Sequence, residues 1–200
     1  MLTFVIAVFL LLITPGPGVL STAGVGTAYG MRAGISYVVG LFLGSNLVGL
    51  LVISGLAAIM LDIPAIRITL AVLSAGYLSY LAAKIAFSGA RIAIINPTKP
   101  PAIFSGIMLQ LINPKAYAVN TTFFSGFVFY PDSFLTETII KLLILNAIWI
   151  PVHIAWLYAG NRLRSLDISS TAQRRINFFM AFCLLGVVGL SLISILGLSK

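Results

Sequence analysis

The first 31 residues of the chain carry no charged side chain, yet this apolar stretch is interrupted by Thr14-Pro15-Gly16-Pro17-Gly18. Proline lacks a backbone N–H and clashes with the preceding helical turn, and glycine permits unusual backbone dihedrals, so a helix cannot pass through the pentapeptide undisturbed. A similar interruption recurs about 99 positions later, where Leu12-Ile13-Thr14-Pro15 becomes Leu111-Ile112-Asn113-Pro114. The fold must therefore accommodate two interrupted apolar segments, one in each half of the chain.

The composition is that of an integral membrane protein. Hydrophobic residues make up 60% of the 200 positions and charged residues 8%, whereas soluble domains carry about 25% charged residues. A soluble chain of this length cannot bury so much apolar surface. The net charge of +8 does not indicate nucleic acid, because the basic residues are scattered between long apolar runs. The single cysteine, Cys183, excludes an intrachain disulfide and a cysteine-cluster metal site.

Six apolar segments have the length of about 20 residues that a membrane-spanning helix needs. Segments of this kind are predicted to be helices, because open strand edges cannot face lipid. Each half holds three segments, so the second half would enter the membrane inverted. We therefore predict an all-α polytopic membrane protein made of two inverted three-helix repeats, residues 1–96 and 97–200, with the first and fourth helices broken. The segments are Leu2–Val25, Ile35–Leu61, Ile66–Phe87, Ile103–Phe129, Thr138–Ala159 and Ile176–Leu198.

The charge pattern predicts how the chain is oriented in the membrane, and the glycine pattern predicts how its helices pack. The odd-numbered connections and their flanks hold eight basic residues and one acid, whereas the other face holds three of each. The positive-inside rule then places the odd-numbered connections in the cytoplasm and both termini outside, provided that the fourth segment spans the membrane and is not re-entrant. Gly26, Gly30 and Gly34 recur every four residues, and Gly40 and Gly44 form a second pair. Rows of small residues predict close helix packing.

The two interruptions are the first candidates for a functional site. Peptide groups freed at a helix break need partners inside the protein or in a wet cavity. A helix that begins near Gly18 would direct its positive end at the break, where a carboxylate fits. Paired interruptions indicate the central binding site of a transporter, and the alternative is a purely structural kink. The predicted substrate-binding residues at the interruptions are Thr14, Pro15, Gly16, Pro17, Gly18, Asn113, Pro114 and Lys115.

Lys115 is the strongest of these candidates. A lysine at bilayer depth costs roughly 2.5–3.5 kcal/mol and usually faces a cavity. It either contacts a substrate carboxylate, changes protonation during transport, or snorkels to the edge of a short helix. Asn46, Tyr77 and Asn120 complete the predicted substrate-binding set, although polar residues in membrane helices equally serve to join helices. His153 is interpreted as a packed or interfacial histidine, because a zinc site needs three or four convergent ligands.

Missing features restrict the function. All four acidic residues lie at segment ends or in connections, so the sequence offers no intramembrane carboxylate for a cationic side chain, a divalent metal or a proton relay. No Gly-x-x-x-x-Gly-Lys-Ser/Thr loop is present, which excludes a nucleotide-driven pump. One histidine without an intramembrane acid cannot build a Ser-His-Asp triad there. We expect neither enzymatic activity nor a cofactor.

Several motifs occur in order along nearly the whole chain. They are Thr14-Pro15-Gly16-Pro17, Arg32-Ala33-Gly34 with Gly40-Leu41-Phe42-Leu43-Gly44, Gly76-Tyr77-Leu78 with Tyr80-Leu81, Phe104-x-Gly106, Leu111-Ile112-Asn113-Pro114-Lys115-Ala116, and Arg174-Arg175-Ile176-Asn177. This series resembles the LysE/RhtB family of amino-acid exporters. The resemblance implies a multi-pass protein of the bacterial cytoplasmic membrane that exports amino acids or related solutes, driven by the proton gradient.

Two positions depart from the family pattern. Many members have asparagine at the position of Gly18, and many have an acid after the second glycine of segment two, where this chain has Ser45-Asn46. Together with the lack of intramembrane acids, these departures favour neutral amino acids over lysine or arginine. The expected partners are an amino-acid substrate and membrane lipid but no nucleic acid. The sequence leaves open whether the chain forms a homo-oligomer. A metal-cation exporter of related architecture and a membrane scaffold that transports nothing are the alternatives.

Overall fold

The computed structural model describes residues 1–14, 16–56, 63–87, 99–165 and 170–195, and the regular structure in these ranges is helical. Three of the helices, α2, α3 and α5, begin on proline. Proline suits this position because the first N–H groups of a helix have no partner within it. The helices are α1 Leu2–Ile13, α2 Pro17–Ile53, α3 Pro64–Ala86, α4 Ile103–Ile112, α5 Pro114–Ser125, α6 Phe134–Ser165 and α7 Ser170–Ile195.

The distribution of polar and apolar side chains is that of a protein in lipid. Among the described residues, α2, α3 and α6 are long and apolar enough to cross a membrane, and α1 and α4 are shorter apolar helices. Phe134, Phe179 and Phe182 are exposed, whereas Thr22 and Thr27 are buried. Polar groups in membrane proteins face the interior of the bundle in this way. The predicted class of all-helical membrane protein is therefore confirmed.

The first two predicted segments differ from the observed helices. Those segments leave residues 26–34 as a connection, but α2 continues through this interval to Ile53. Gly30 interrupts it with φ 82° and ψ −177°, a conformation that L side chains rarely adopt. α2 is thus two helical arms that meet at a corner. The end of the second predicted segment, residues 57–61, lies outside the described ranges.

Glycines determine how closely the helices approach. A Cβ atom placed on Gly40 would lie 2.7 Å from the carbonyl carbon of Ile103, so α2 and α4 cross backbone to backbone. A Cβ atom on Gly26 would lie 2.8 Å from the carbonyl oxygen of Leu157 in α6. Larger side chains would hold both pairs of helices apart. The close packing predicted from the glycine spacing is confirmed at these positions.

The two largest apolar clusters among the described residues hold the bundle together. The larger cluster is centred on α2, α3 and α7, and α3 packs along α7. The smaller cluster joins α1 to α5 and α6 through Phe4, Val8, Phe123 and Leu145. The ring of Phe4 meets that of Phe123 edge-on, with centroids 5.7 Å apart. This anchoring brings the C-terminal end of α1 next to the beginning of α5.

A buried ion pair fastens the stretch between α5 and α6. The Lys141 Nζ atom lies 2.7 Å from Glu137 Oε1 and also donates to the carbonyl oxygen of Phe124 at 3.2 Å. The other carboxylate oxygen of Glu137 accepts the N–H groups of Phe129 and Tyr130, at 3.0 and 2.6 Å. Both charges are compensated by hydrogen bonds as well as by each other, which a buried pair requires.

Candidate functional site

Four helix ends meet around one cavity. α1 ends at Ile13 and α2 begins at Pro17, while α4 ends at Ile112 and α5 begins at Pro114. The cavity has a volume of about 60 Å³, room for a few water molecules at roughly 10–15 Å³ each. Seven of the residues predicted from the sequence line it: Thr14, Gly16, Pro17, Gly18, Asn113, Lys115 and Asn120.

The other predicted residues lie elsewhere. Asn46 borders a smaller neighbouring cavity, which shares Asn120 with the first. The hydroxyl group of Tyr77 donates to the carbonyl oxygen of Ser105 at 2.9 Å, and neither Tyr77 nor Pro114 lines the larger cavity. Pro15 lies outside the described residues.

The Lys115 side chain joins the two interruptions. Its Nζ atom donates to the carbonyl oxygen of Thr14 at 3.0 Å, across 101 positions of sequence. Gly16 makes this approach feasible, because a Cβ atom there would lie 2.8 Å from Nζ. The half-buried ammonium group therefore occupies the carbonyl end of α1, where the partial negative charge of a helix C-terminus favours a cation.

The two helices that begin at the interruptions differ in their caps. The Asn113 side chain accepts the backbone N–H of Lys115 at 3.1 Å, so α5 is capped by its own sequence. The start of α2 follows Gly16 and has no side-chain cap. Its next N–H groups belong to Gly18 and Val19, which both line the cavity. N–H groups at an uncapped helix start favour anions.

His153 lines the same cavity from α6, a position that the sequence analysis did not assign to it. The ring is buried, its Nδ1 atom lies 2.9 Å from the carbonyl oxygen of Trp149, and it stacks on the Trp149 indole with centroids 3.6 Å apart. A Cβ atom on Gly18 would lie 3.4 Å from Nε2. The usable sequence signal was the four-residue spacing from Trp149, which places both rings on one helix face.

The rest of the lining is largely apolar. Leu11, Leu12, Val119 and Leu145 contribute aliphatic surface, and no aspartate or glutamate is among the described lining residues. Gln110 is a further polar residue of the lining, and its Oε1 atom accepts a hydrogen bond from Asn113 Nδ2 at 3.2 Å. Across the part of the chain that the structure describes, no group of three His, Cys, Asp or Glu side chains comes together.

Beside the smaller cavity, α2 and α6 are joined by two amide side chains. Asn46 Nδ2 donates to Asn146 Oδ1 at 3.2 Å, and Asn146 Nδ2 donates back to Asn46 Oδ1 at 3.0 Å. Each amide thus satisfies the other within the bundle, which fits a joining role for Asn46 between helices.

A helical bundle with an apolar surface, and with helix ends meeting at an internal cavity that both polar and apolar residues line, is the arrangement of a polytopic membrane transporter. The sequence profile of the LysE type translocator family matches residues 9–195, and the chain belongs to this family. It is accordingly a multi-pass protein of the bacterial inner membrane and a transporter rather than an enzyme, as the sequence predicted.

Relatives with named functions are similar over most of the chain. It is 33% identical over 150 residues to the cysteine/O-acetylserine efflux protein of Salmonella paratyphi A, covering 74% of this chain and 76% of the relative. It is 28% identical over 149 residues to the leucine efflux protein of an Enterobacter species, covering 72% and 69%. No solved structure matches the chain.

Proposed function

We propose that the protein exports neutral amino acids by alternating access, that export is driven by the proton gradient, and that the cavity at the two interruptions binds the substrate. One observation carries the proposal: the Lys115 ammonium group lies beside the uncapped first turn of α2. The efflux activities named for the relatives support amino acids as the cargo.

The α-carboxylate is the substrate group that Lys115 and the start of α2 would recognise. The N–H groups of Gly18 and Val19 offer two donors, and Lys115 offers a charge on the same side of the cavity. A bound carboxylate would replace the Thr14 carbonyl oxygen as the partner of Lys115. A hydrogen bond between charged groups contributes about 1.5–3 kcal/mol.

The remaining lining favours a neutral side chain. The described lining residues offer aliphatic surface and no carboxylate that would compensate a lysine or arginine substrate. A cavity with room for a few water molecules must also widen to admit even a small amino acid. Binding therefore requires the surrounding helices to move apart, as they do when a transporter alternates between two open states.

The proposal includes two inverted repeats, residues 1–96 and 97–200, that rock against each other. One interrupted segment would be α1 with the first arm of α2, and the other would be α4 with α5. Elements at equivalent places in the two halves should touch near a two-fold axis. The packing of α3 on α7 and the pairing of Asn46 with Asn146 support this.

Proteoliposomes preloaded with single radiolabelled amino acids test the function. Leucine, cysteine and serine should leave faster than lysine or arginine, and an acidic exterior should accelerate the efflux. Equal efflux of lysine and leucine would contradict the proposed selectivity. No efflux of any amino acid would favour the non-transporting scaffold.

Lys115→Met tests the binding site in the same assay. Because a charge-assisted hydrogen bond is lost, the apparent affinity for leucine should fall about 10- to 100-fold. Lys115→Arg keeps the charge and should therefore retain part of the affinity for leucine. Thr122→Val is the matched control on α5, because the exposed Thr122 hydroxyl donates to the Ala118 carbonyl oxygen of its own helix at 2.9 Å. Wild-type affinity in Lys115→Met would refute the assignment.

A further inference from the structure

We infer that His153 is the proton site of this transporter, and that its Nε2 atom binds either a proton or the ammonium group of the amino acid, never both. The inference rests on the proposed function and deepens it. It explains how proton entry is coupled to amino-acid exit, because the two ligands exclude each other from one atom.

The hydrogen bond of the other ring nitrogen fixes the chemistry of Nε2. The carbonyl oxygen of Trp149 can only accept, so His153 Nδ1, at 2.9 Å, must carry a hydrogen. The neutral ring then has its lone pair on Nε2. Within the described residues Nε2 makes no hydrogen bond, and every fully buried side-chain nitrogen or oxygen atom has a partner. Nε2 is therefore the ring nitrogen that is accessible from the cavity, and it is an acceptor.

The indole of Trp149 holds the ring in this orientation. It stacks on the imidazole with 13° between the planes, and Phe42 packs edge-on against the indole at 5.7 Å. The negative face of an aromatic ring attracts a cation. The same stack that positions neutral His153 thus also accommodates its protonated form.

In the widened cavity, an α-amino acid would lie between the Lys115 ammonium group and the His153 imidazole. The Lys115 ammonium lies over Gly16 and the Nε2 atom of His153 lies against Gly18, two positions further along the start of α2. A zwitterion carries its carboxylate and its ammonium group on one carbon atom. Bound with the carboxylate at Lys115, it would present its N–H groups to the Nε2 lone pair.

Other titratable groups near the ring are engaged elsewhere. Lys115 is the other titratable residue of the described lining, and its ammonium group donates to the Thr14 carbonyl oxygen. α1 and α4 carry no titratable side chain. On α2, the hydroxyl groups of Tyr29 and Tyr37 donate to the Lys84 carbonyl oxygen and to Ser21, and Arg32 is exposed; on α5, the Tyr117 hydroxyl group donates to the Leu111 carbonyl oxygen. On α6, Lys141 pairs with Glu137. Arg162 donates to Tyr158 and Arg164 to the Ala28 carbonyl oxygen.

The exchange needs no further reactant. With the cavity open to the outside, the amino acid leaves and a hydronium ion transfers its proton to Nε2, so that an O–H bond breaks and an N–H bond forms. With the cavity open to the cytoplasm, the imidazolium returns this proton to water. The freed lone pair then accepts a hydrogen bond from the ammonium group of the next amino acid.

Replacing His153 by glutamine separates proton coupling from amino-acid movement. The glutamine amide can accept a hydrogen bond but does not titrate. In proteoliposomes, His153→Gln should still exchange labelled for unlabelled leucine, at a reduced rate, but a pH gradient should no longer accelerate net efflux. Tyr158→Phe, an exposed position on the same helix, should retain both activities. Efflux of His153→Gln that still responds to the gradient as in the wild type would overturn the inference.

The stacked indole supplies a second readout that does not depend on transport. The chain has two tryptophans, so Trp156→Phe leaves Trp149 as the reporter, and protonation of the stacked imidazole should quench its fluorescence. Leucine at about ten times its dissociation constant should raise the proton concentration at the midpoint of quenching about tenfold, because the two ligands compete. Addition of His153→Gln should abolish the pH dependence.

The two readouts separate the failure of this inference from failure of the proposed function. Leucine flux combined with a midpoint that leucine does not move would refute competition at Nε2, while amino-acid export would stand. No leucine flux and no leucine effect on the fluorescence would contradict the proposed function itself, and the inference with it.

Discussion

Gly106→Ala should destabilise the protein by forcing α4 away from α2. A Cβ atom on Gly106 would lie 2.5 Å from the backbone nitrogen of Leu41 and 2.8 Å from the carbonyl carbon of Gly40. Both are backbone atoms, so no side chain can rotate aside. To reach ordinary contact at 3.4 Å from the Leu41 nitrogen, the helices must separate by about 0.9 Å, and the carbonyl oxygen of Tyr37 would lie closer still.

The expected magnitude follows from two opposing effects. Inserting a methyl group into packed structure costs about 1–3 kcal/mol. Replacing glycine by alanine in a helix gains up to about 1 kcal/mol. Gly76→Ala shows the second effect alone, because Gly76 lies within the long helix α3 and a Cβ atom there would meet nothing within 4 Å. The difference between the two variants therefore isolates the first effect.

Thermal unfolding of the detergent-purified variants measures the difference. For chains of this size, about 1 kcal/mol corresponds to roughly 2–4 °C in Tm. Gly106→Ala should therefore unfold roughly 2–12 °C below Gly76→Ala, which should match or slightly exceed the wild type. Equal Tm values for the two variants would refute the conclusion that backbone contact at Gly106 holds α4 on α2.

Two further predictions concern polar pairs inside the bundle. In a double-mutant cycle of Asn46→Val and Asn146→Val, the two reciprocal hydrogen bonds should give a coupling of about 1 kcal/mol, because hydrogen bonds between membrane helices average about 0.6 kcal/mol each; additive losses of stability would show that the amides act separately. Lys141→Met alone should lower the free energy of unfolding, because it leaves the Glu137 carboxylate without its charged partner, and adding Glu137→Gln should recover part of that loss. Further destabilisation by the second change would contradict the pairing.

The sequence located the helix ends at the cavity but not the contacts between them. Proline cannot continue a helix undisturbed from the preceding turn. The sequence accordingly predicted a helix that begins near Gly18, and α2 begins one residue earlier, at Pro17. The reach of Lys115 to Thr14 was beyond prediction, because it depends on how α1 packs against α5 and α6. Hydropathy also missed the continuity of α2, since a corner at one glycine leaves the average apolar character of its two arms unchanged.

The position of His153 in the cavity lining was hidden for a different reason. A lone histidine in an apolar run is most simply interpreted as packed, and the ring is indeed buried. What distinguishes it is the direction of each ring nitrogen, which the Trp149 stack and a carbonyl oxygen one helical turn earlier determine. The substrate-binding role of Tyr77 stays a prediction, and in the structure its hydroxyl group donates to the Ser105 carbonyl oxygen.

Position 115 lies 99 residues after position 16, the same offset that relates the two prolines at 15 and 114. In the structure these counterparts touch, with the lysine of one half lying on the glycine of the other. Exchanging the two residues, Gly16→Lys together with Lys115→Gly, should therefore bring an ammonium group back to the same cavity from the other interrupted segment.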